Sequence, residues 1–535
     1  MALNSVPFLL FLAITTAIYY IVPKKFQWVV LLLASYGFYL SGGYESVFYI
    51  LGTTLITYIA GRIMQKKRND LQKQIADLGE NATKEDKQQL KKTAAKKIHR
   101  IQVITVLINL AVLAYVKYLN FFIGNINNIF GLFQWDINIP LINMLVPLGL
   151  SYYTFNSIGY LIDVGRGKIK AEENIGKFAL FTSFFPSIVQ GPLFRFGDVG
   201  KQLQESHDFD YTNVKFGAQL ILWGFFKKLL IADRLSVIPA AIFAPSFTDY
   251  SGSHVFFGVL AYSFQIYCDF SGGVDIARGA AQMLGINLPV NFERPFFATS
   301  LADFWRRWHM SLGAWMREFV FYPIMLSKPV TAVSKHFRKR YSAYAGKLVP
   351  SVAAPLVVFF LIGIWHGLTW QYIVNGLYNA IVISSSVALA PVYAKLAEKL
   401  HVNTENFSFK LFQIARTFIV LCISRTIVKA PSISAAGHML YKMFTDVDFA
   451  FITGVSGELF QYGIDEKEMF MVFIFLLVLL TVGLLQENGV KLRETIAKQN
   501  IFFRWAIYLL ALAAILIFGT YGPSYDATTF IYGNF

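Results

Sequence analysis

The chain has 535 residues, of which 55% are hydrophobic and 16% aromatic, and only 15% are charged, against about 25% in an ordinary soluble domain. Apolar stretches of about 20 residues recur from end to end, each long enough to cross a bilayer, which excludes a soluble globular domain and predicts an all-α polytopic membrane protein. The net charge of +16 would suit a nucleic-acid partner in a soluble chain. Here the positive-inside rule explains the charge more simply, and no nucleic acid is expected.

The N-terminal part predicts three spans followed by a basic insert. Apolar runs at 7–22 and 27–40 are followed by a third that ends near Ala60. Residues 62–100 then carry 12 Lys and Arg against 5 Asp and Glu. A short segment with that bias is expected on the cytoplasmic side, which places the N-terminus outside.

The middle of the chain departs from simple spans. After runs at 101–123 and 144–162, the apolar segment 180–192 contains two prolines and a glycine, which predicts a broken or re-entrant segment. Residues 216–243 include four charged side chains, so part of this segment is expected along the membrane interface. Residues 292–323 alternate cationic and aromatic side chains, a pattern typical of interfacial helices.

The C-terminal part predicts further spans around His366 and at 412–428, 469–485 and 507–518. A second basic loop, 328–347, is expected in the cytoplasm. Counting spans from the two basic loops places segment 431–468 and the C-terminal tail 521–535 outside.

His366 is the strongest candidate for chemistry. An imidazole that titrates near neutral pH is costly to hold in hydrocarbon, so its presence in an apolar stretch indicates function. The alternatives are a buried histidine bonded to a neighbouring helix and a histidine at a helix end beside lipid headgroups. Neither His366 nor the second candidate, His309, has a partner at metal-ligand spacing, so no metal is predicted. No nucleophile elbow, Walker A or dinucleotide motif is present, which leaves general acid–base work on a hydroxyl or thioester.

Two motifs carry a family resemblance. The segments Arg294-Pro295 with 303–309 (Asp-Phe-Trp-Arg-Arg-Trp-His), and Trp365-His366-Gly367, resemble the two signature regions of the membrane-bound O-acyltransferase family, particularly its bacterial alginate O-acetylation branch. Segments 160–164, 185–192 and 267–272 resemble family segments in the same order. The resemblance implies one membrane-embedded domain over 1–535, a ring of about 11 or more transmembrane helices with re-entrant and interfacial helices around a central tunnel.

The resemblance also implies roles for residues. His366 matches the catalytic base and His309 the second signature position. The ending 529–535 resembles that of related bacterial acyltransferases, which makes Tyr532 a possible acyl relay; an aromatic tail lying in the interface is the alternative. The residues expected to bind the donor or line the tunnel are Trp305, Arg306, Arg307, Trp308, Asp269, Ser271, Trp365 and Asn375.

The implied function is transfer of an acyl group, expected to be acetyl, from a cytoplasmic thioester across a bacterial inner membrane to an exported or cell-surface polysaccharide. No bound cofactor is expected; the donor is acetyl-CoA or an acyl carrier protein thioester. The expected partners are an extracellular or periplasmic SGNH hydrolase-like acyltransferase, the polymer and membrane lipids. D-alanyl transfer to teichoic acid is the alternative within the enzyme class. A secondary transporter of a surface-polymer intermediate is the alternative outside it, favoured by Asp269 and Asp275 in an apolar stretch.

Overall fold

A computed structural model describes residues 1–78, 83–142, 146–245, 250–452, 454 and 457–522. Across these residues the chain is helical, and its sole extended pairing is an isolated bridge between Phe292 and Trp308. Tyr532 and most of the predicted tail lie outside the described residues.

Six described helices are long and apolar enough to cross a membrane, and a seventh span results if two helices joined at a 55° bend are counted as one. The predicted polytopic α-helical class is confirmed, whereas the count of about 11 spans stays a prediction. The six are Tyr44–Asp77, Lys84–Leu132, Ala343–His366, Phe407–Lys429, Glu466–Glu487 and Ile501–Phe518, and the bent pair is Trp370–Ala388 with Ala390–Lys399.

The chain divides into two compact units. Unit 1 comprises residues 1–217 and 280–289. The basic segment 62–100 is helical in its described residues, because it continues one long helix and begins the next, whose first turn is capped by Thr83 and Asp86. The helices of unit 1 are α1 (Val6–Ile21), α2 (Gln27–Leu40), α3 (Tyr44–Asp77), α4 (Lys84–Leu132), α5 (Leu150–Arg166), α6 (Ile175–Ser183), α7 (Phe185–Ile188) and α8 (Tyr211–Phe225), the last of which ends in unit 2.

The predicted break in segment 180–192 is confirmed. Helix α6 ends at Ser183, α7 is a single turn with Pro186 near its start, and the chain after it is not helical until Phe196. Apart from the half-buried Val189, this segment is buried in protein, the condition under which irregular backbone is tolerated at membrane depth.

Unit 2 comprises residues 218–279 and 290–535 and contains both candidate histidines. The stretch 292–323 forms short helices instead of a span, as its composition predicts. The helices are α9 (Asp233–Leu235), α10 (Val237–Ile242), α11 (Gly252–Met283, which ends in unit 1), α12 (Leu301–Arg307), α13 (Met310–Met316), α14 (Tyr322–Met325), α15 (Lys328–Arg340), α16 (Ala343–His366), α17 (Trp370–Ala388), α18 (Ala390–Lys399), α19 (Phe407–Lys429), α20 (Ile433–Thr445), α21 (Phe449–Ile452), α22 (Glu466–Glu487), α23 (Leu492–Ala497) and α24 (Ile501–Phe518).

A buried ion-pair network holds α11 against the π-helical segment Phe226–Ala232. Lys228 Nζ lies 2.6 Å from an Asp269 oxygen and 2.7 Å from an Asp233 oxygen. Lys227 Nζ contacts Asp275 at 2.7 Å and donates to Ser271 Oγ at 2.9 Å. The two lysine side chains are only 3% and 1% exposed, because nearby carboxylates compensate the charge inside the protein, and the placement of part of segment 216–243 along the membrane interface stays a prediction.

We predict that Lys228→Met destabilises the protein by about 3–5 kcal/mol, because it leaves two buried carboxylates without their cation. The matched control is Lys24→Met, which removes an exposed ion pair with Asp208 and costs less than about 1 kcal/mol. Thermal unfolding in detergent checks both. Adding Asp233→Asn and Asp269→Asn to Lys228→Met should recover part of the loss, and equal shifts for Lys228→Met and Lys24→Met would contradict the account.

Candidate active site

His366 is the last residue of α16, and close helix packing determines where it lies. A Cβ atom at Gly363 would lie 2.5 Å from the Tyr372 carbonyl oxygen, and one at Gly376 would clash with the backbone of Phe359. Only glycine allows α16 and α17 to approach this closely. The extended backbone of Gly367 then ends α16, so the imidazole is presented at the turn between two packed helices.

His366 lines a narrow cavity of about 40 Å³, which we call the small cavity. That volume holds a water molecule or a few atoms of a substrate, not a whole ligand. His366 is half-buried there, and its ring stacks near Tyr372 with 6.0 Å between ring centres. The other lining residues are Tyr262, Ile266, Trp305, Trp308, Phe359, Ile362, Gly363, Asn375, Gly376, Asn379, Arg425 and Val428.

Hydrogen bonds fix one wall of the small cavity. Trp305 Nε1 donates to Asn379 Oδ1 at 3.0 Å, and Asn379 Nδ2 donates to the Asn375 carbonyl at 2.8 Å. Ser424 Oγ donates to Asn375 Oδ1 at 2.6 Å. These bonds connect α12, α17 and α19, so this part of the cavity wall has defined side-chain positions.

Arg425 brings a positive charge to the same cavity. Its guanidinium carbon lies 4.8 Å from the centre of a Trp308 ring and 5.9 Å from that of Phe304, a stacking that suits the planar arginine head. A cation held beside a histidine can stabilise negative charge that develops on a reacting oxygen.

His309 is held in one tautomer by Asn291. Because the backbone N–H of Ser311 donates to Asn291 Oδ1 at 2.9 Å, that amide atom is an oxygen, and His309 Nδ1, 3.3 Å from it, must carry the proton. Nε2 is then the unprotonated nitrogen. The residue is 2% exposed with φ of +46°, and burial lowers its pKa to about 3, so the imidazole is neutral.

Both histidines lie against Trp365. The ring centre of Trp365 is 5.8 Å from that of His309 and 4.7 Å from that of His366. The structure therefore brings together His309, Trp365 and His366, which the sequence motifs separate by more than 50 positions.

His309 lines a second cavity of about 460 Å³, the large cavity, which shares Trp305, Trp308, Phe359 and Ile362 with the small cavity. Its volume is in the range of ligand sites. Arg306 and Arg317, both exposed, contribute guanidinium groups to its wall. The remaining lining residues are Ala302, Leu312, Gly313, Met316, Phe321, Tyr322, Pro355, Val358 and Ile383.

Four predicted tunnel residues do not line either cavity: Trp365, which contacts both histidines, and the three residues Arg307, Asp269 and Ser271. Arg307 pairs with Glu487 at 3.0 Å and with Asp303 at 3.1 Å, while Asp269 and Ser271 belong to the buried lysine network. Arg307, Asp269 and Ser271 each contact a partner in the protein, and these contacts hold neighbouring elements together.

Sequence reasoning missed Arg425, Asn379 and Ser424. Arg425 carried a usable signal, because a cation in the apolar run 412–428 is by default a functional candidate. Asn379 follows Asn375 by four residues, one turn along the same face of an apolar helix. Ser424 gave no such signal.

We predict that His309 makes stability fall in acid. The unfolded chain protonates this histidine near pH 6.5 but the folded protein does not, so below that pH the unfolded state binds more protons, and this group costs about 2 kcal/mol on going from pH 7.5 to 5. His309→Asn, which tolerates the left-handed backbone, should reduce the acid shift in Tm. The exposed His438→Asn control should retain it, and an unchanged shift in His309→Asn would contradict the account.

Comparison with known proteins shows the family to which the chain belongs. Residues 172–338 match the membrane-bound O-acyltransferase family model. The chain is 30% identical over 451 residues to a probable alginate O-acetylase of Pseudomonas syringae pv. tomato, covering 83% of this chain and 75% of that protein. It is 25% identical over 485 residues to a peptidoglycan O-acetyltransferase of Helicobacter pylori, covering 82% and 85%.

A teichoic acid D-alanyltransferase of Streptococcus thermophilus is also similar, with 31% identity over 254 residues that cover 45% of this chain and 58% of that protein. The resemblance noted in the two sequence motifs is confirmed. The chain is an O-acyltransferase and belongs to the membrane-bound O-acyltransferase family.

Proposed function

We propose that this multi-pass protein lies in a bacterial inner membrane and transfers an acetyl group from a cytoplasmic thioester towards an exported polysaccharide, with His366 as the base. The observation that carries the proposal is the position of His366. It lines a narrow cavity that shares four lining residues with the larger cavity beside His309. The similarity to a probable alginate O-acetylase over most of the chain supports acetyl transfer to a polymer.

The reaction needs one proton to move and one bond to be exchanged. His366 takes the proton from an attacking hydroxyl, whose oxygen forms an ester bond with the thioester carbonyl carbon. The C–S bond breaks, and the proton passes to the departing thiolate. Arg425 lies in the same cavity and stabilises the oxyanion that forms between these steps.

The large cavity suits the donor. Most of its wall is apolar, while Arg306 and Arg317 are exposed in it; arginines of this kind bind the phosphates of coenzyme A or of a carrier protein's prosthetic arm. The basic helix α15 follows shortly after in the chain. Neutral His309 accepts a hydrogen bond at Nε2 and positions the thioester arm near the shared wall.

On the acceptor side, we propose that Tyr532 receives the acyl group first and passes it to an extracellular SGNH hydrolase-like partner, which completes transfer to the polymer. A phenol has a pKa near 10, so its ester has a better leaving group than an alkyl ester and onward transfer is favourable.

D-alanyl transfer to teichoic acid is the second candidate, because the 31% identity to a teichoic acid D-alanyltransferase is as high as that to the alginate relative, although over a shorter region. Offering the purified protein acetyl-CoA and a D-alanyl carrier-protein thioester in parallel separates the two. Membership of a family of O-acyltransferases argues against the transporter alternative.

We predict that His366→Ala lowers acyl transfer by about 10²–10⁴-fold, the usual contribution of a general base. The measurement is the ester-linked acetate on exported polymer from cells, together with thioester consumption by protein purified in nanodiscs. His438→Ala, an exposed histidine outside both cavities, should retain wild-type activity. A folded His366→Ala protein with wild-type transfer would remove the proposed mechanism.

We predict that Tyr532→Phe abolishes acetylation of the polymer but leaves unfolding temperature and thioester binding unchanged, because only the phenolic oxygen is lost. Phe530→Leu in the same tail is the matched control and should transfer normally. Full polymer acetylation in Tyr532→Phe would remove the relay while leaving the role of His366 standing.

A further inference from the structure

We infer that unit 2 has a metal site, separate from the acyl-transfer cavities, in which His254, Asp448 and Glu458 bind a zinc ion. Within the described residues, these three form the one group of His, Cys, Asp and Glu side chains close enough to share an ion. His254 lies in the first turn of α11, and Asp448 directly precedes α21. Glu458 begins a short 3-10 helix that ends at Phe460.

The distances suit a small cation. The three potential ligand atoms all lie within 4.8 Å of one another, and His254 Nε2 is 3.1 Å from Glu458 Oε2. Tetrahedral zinc, with bonds of about 2.0–2.2 Å, needs ligand atoms about 3.4 Å apart. The carboxylates of Asp448 and Glu458 are half-buried, so side-chain rotation brings their oxygens closer to that geometry.

The imidazole is already oriented for a metal. Ser251 Oγ lies 2.6 Å from His254 Nδ1, so when zinc replaces the proton between Nε2 and Glu458, Nδ1 carries the proton and donates to Ser251 Oγ while the Nε2 lone pair binds the ion. Metal-bound histidines commonly make this kind of hydrogen bond through their second nitrogen. Phe451 stacks on the ring with 3.9 Å between centres, which limits its rotation.

The backbone around the site is also held. The Asp448 N–H donates to Ser253 Oγ at 2.9 Å, and Asp448 Oδ1 accepts from the Phe451 N–H at 3.1 Å. The Gly252 N–H donates to the Asp446 carbonyl at 2.9 Å. The start of α11 and the segment that begins at Asp446 are thus fixed side by side, although His254 is about 200 positions from the two carboxylates in the sequence.

The donor set points to zinc. Zinc binds an imidazole nitrogen together with carboxylate oxygens, whereas calcium prefers six to eight oxygen ligands and magnesium keeps several of its waters. Three protein ligands leave the fourth position to water. The ion joins the start of α11 to the segment between α20 and α22, and so stabilises unit 2.

The experiment measures zinc binding by the full chain. The protein is purified through a tag that contains no histidines, its metal is removed with a chelator, and zinc is then added back. We expect about one zinc per chain by elemental analysis and a higher Tm with zinc than without. His254→Ala and Asp448→Asn should lose the ion and the Tm rise, and Ser251→Ala should weaken affinity about 10–100-fold.

The controls are His438→Ala and Glu466→Gln, exposed residues of the same region outside the cluster, which should bind as wild type does. Glu458→Gln replaces His254→Ala if the latter elutes as aggregate. Wild type that holds no zinc after reconstitution, zinc content unaffected by the ligand substitutions, or binding of calcium in place of zinc would each overturn the proposal.

Discussion

The close contact between α16 and α17 is the constraint on which the site depends. Gly363 and Gly376 remove the side chains that would separate the two helices, and the turn after Gly367 leaves His366 at the edge of the contact. A larger residue at either glycine would push the helices apart and widen the small cavity. The catalytic proposal therefore rests on backbone packing as much as on the imidazole itself.

Buried polar groups in this apolar protein form groups of side chains that pair with one another through ion pairs or hydrogen bonds. The lysines beside α11 meet carboxylates, Arg307 shares Glu487 with Arg294, and Asn291 satisfies both His309 and Ser311. Unpaired polar groups in such surroundings cost several kcal/mol each. These sets of side chains fix the elements around the two cavities, and Arg425 and His366 are the arginine and the histidine that line the small cavity.

Much of the fold class and part of the site could be predicted from the sequence. Apolar runs located α16 and α17, and the two motifs located His309 and His366. The rest depended on tertiary packing: Arg425 reaches the cavity only because α19 places it over Trp308, and Lys228 is buried only because Asp269 and Asp233 lie beside it. Ligand spacing along the chain could not reveal the cluster at His254, because its other members are about 200 residues away.

The central claim is that acyl transfer occurs at His366, between the two cavities. A structure determined with a non-hydrolysable acetyl-thioester analogue tests it most directly. The account predicts the thioester arm in the large cavity, and the carbonyl carbon in the small cavity within reach of a hydroxyl held about 3–3.5 Å away by His366. An analogue bound outside both cavities, with its carbonyl remote from His366, would contradict it.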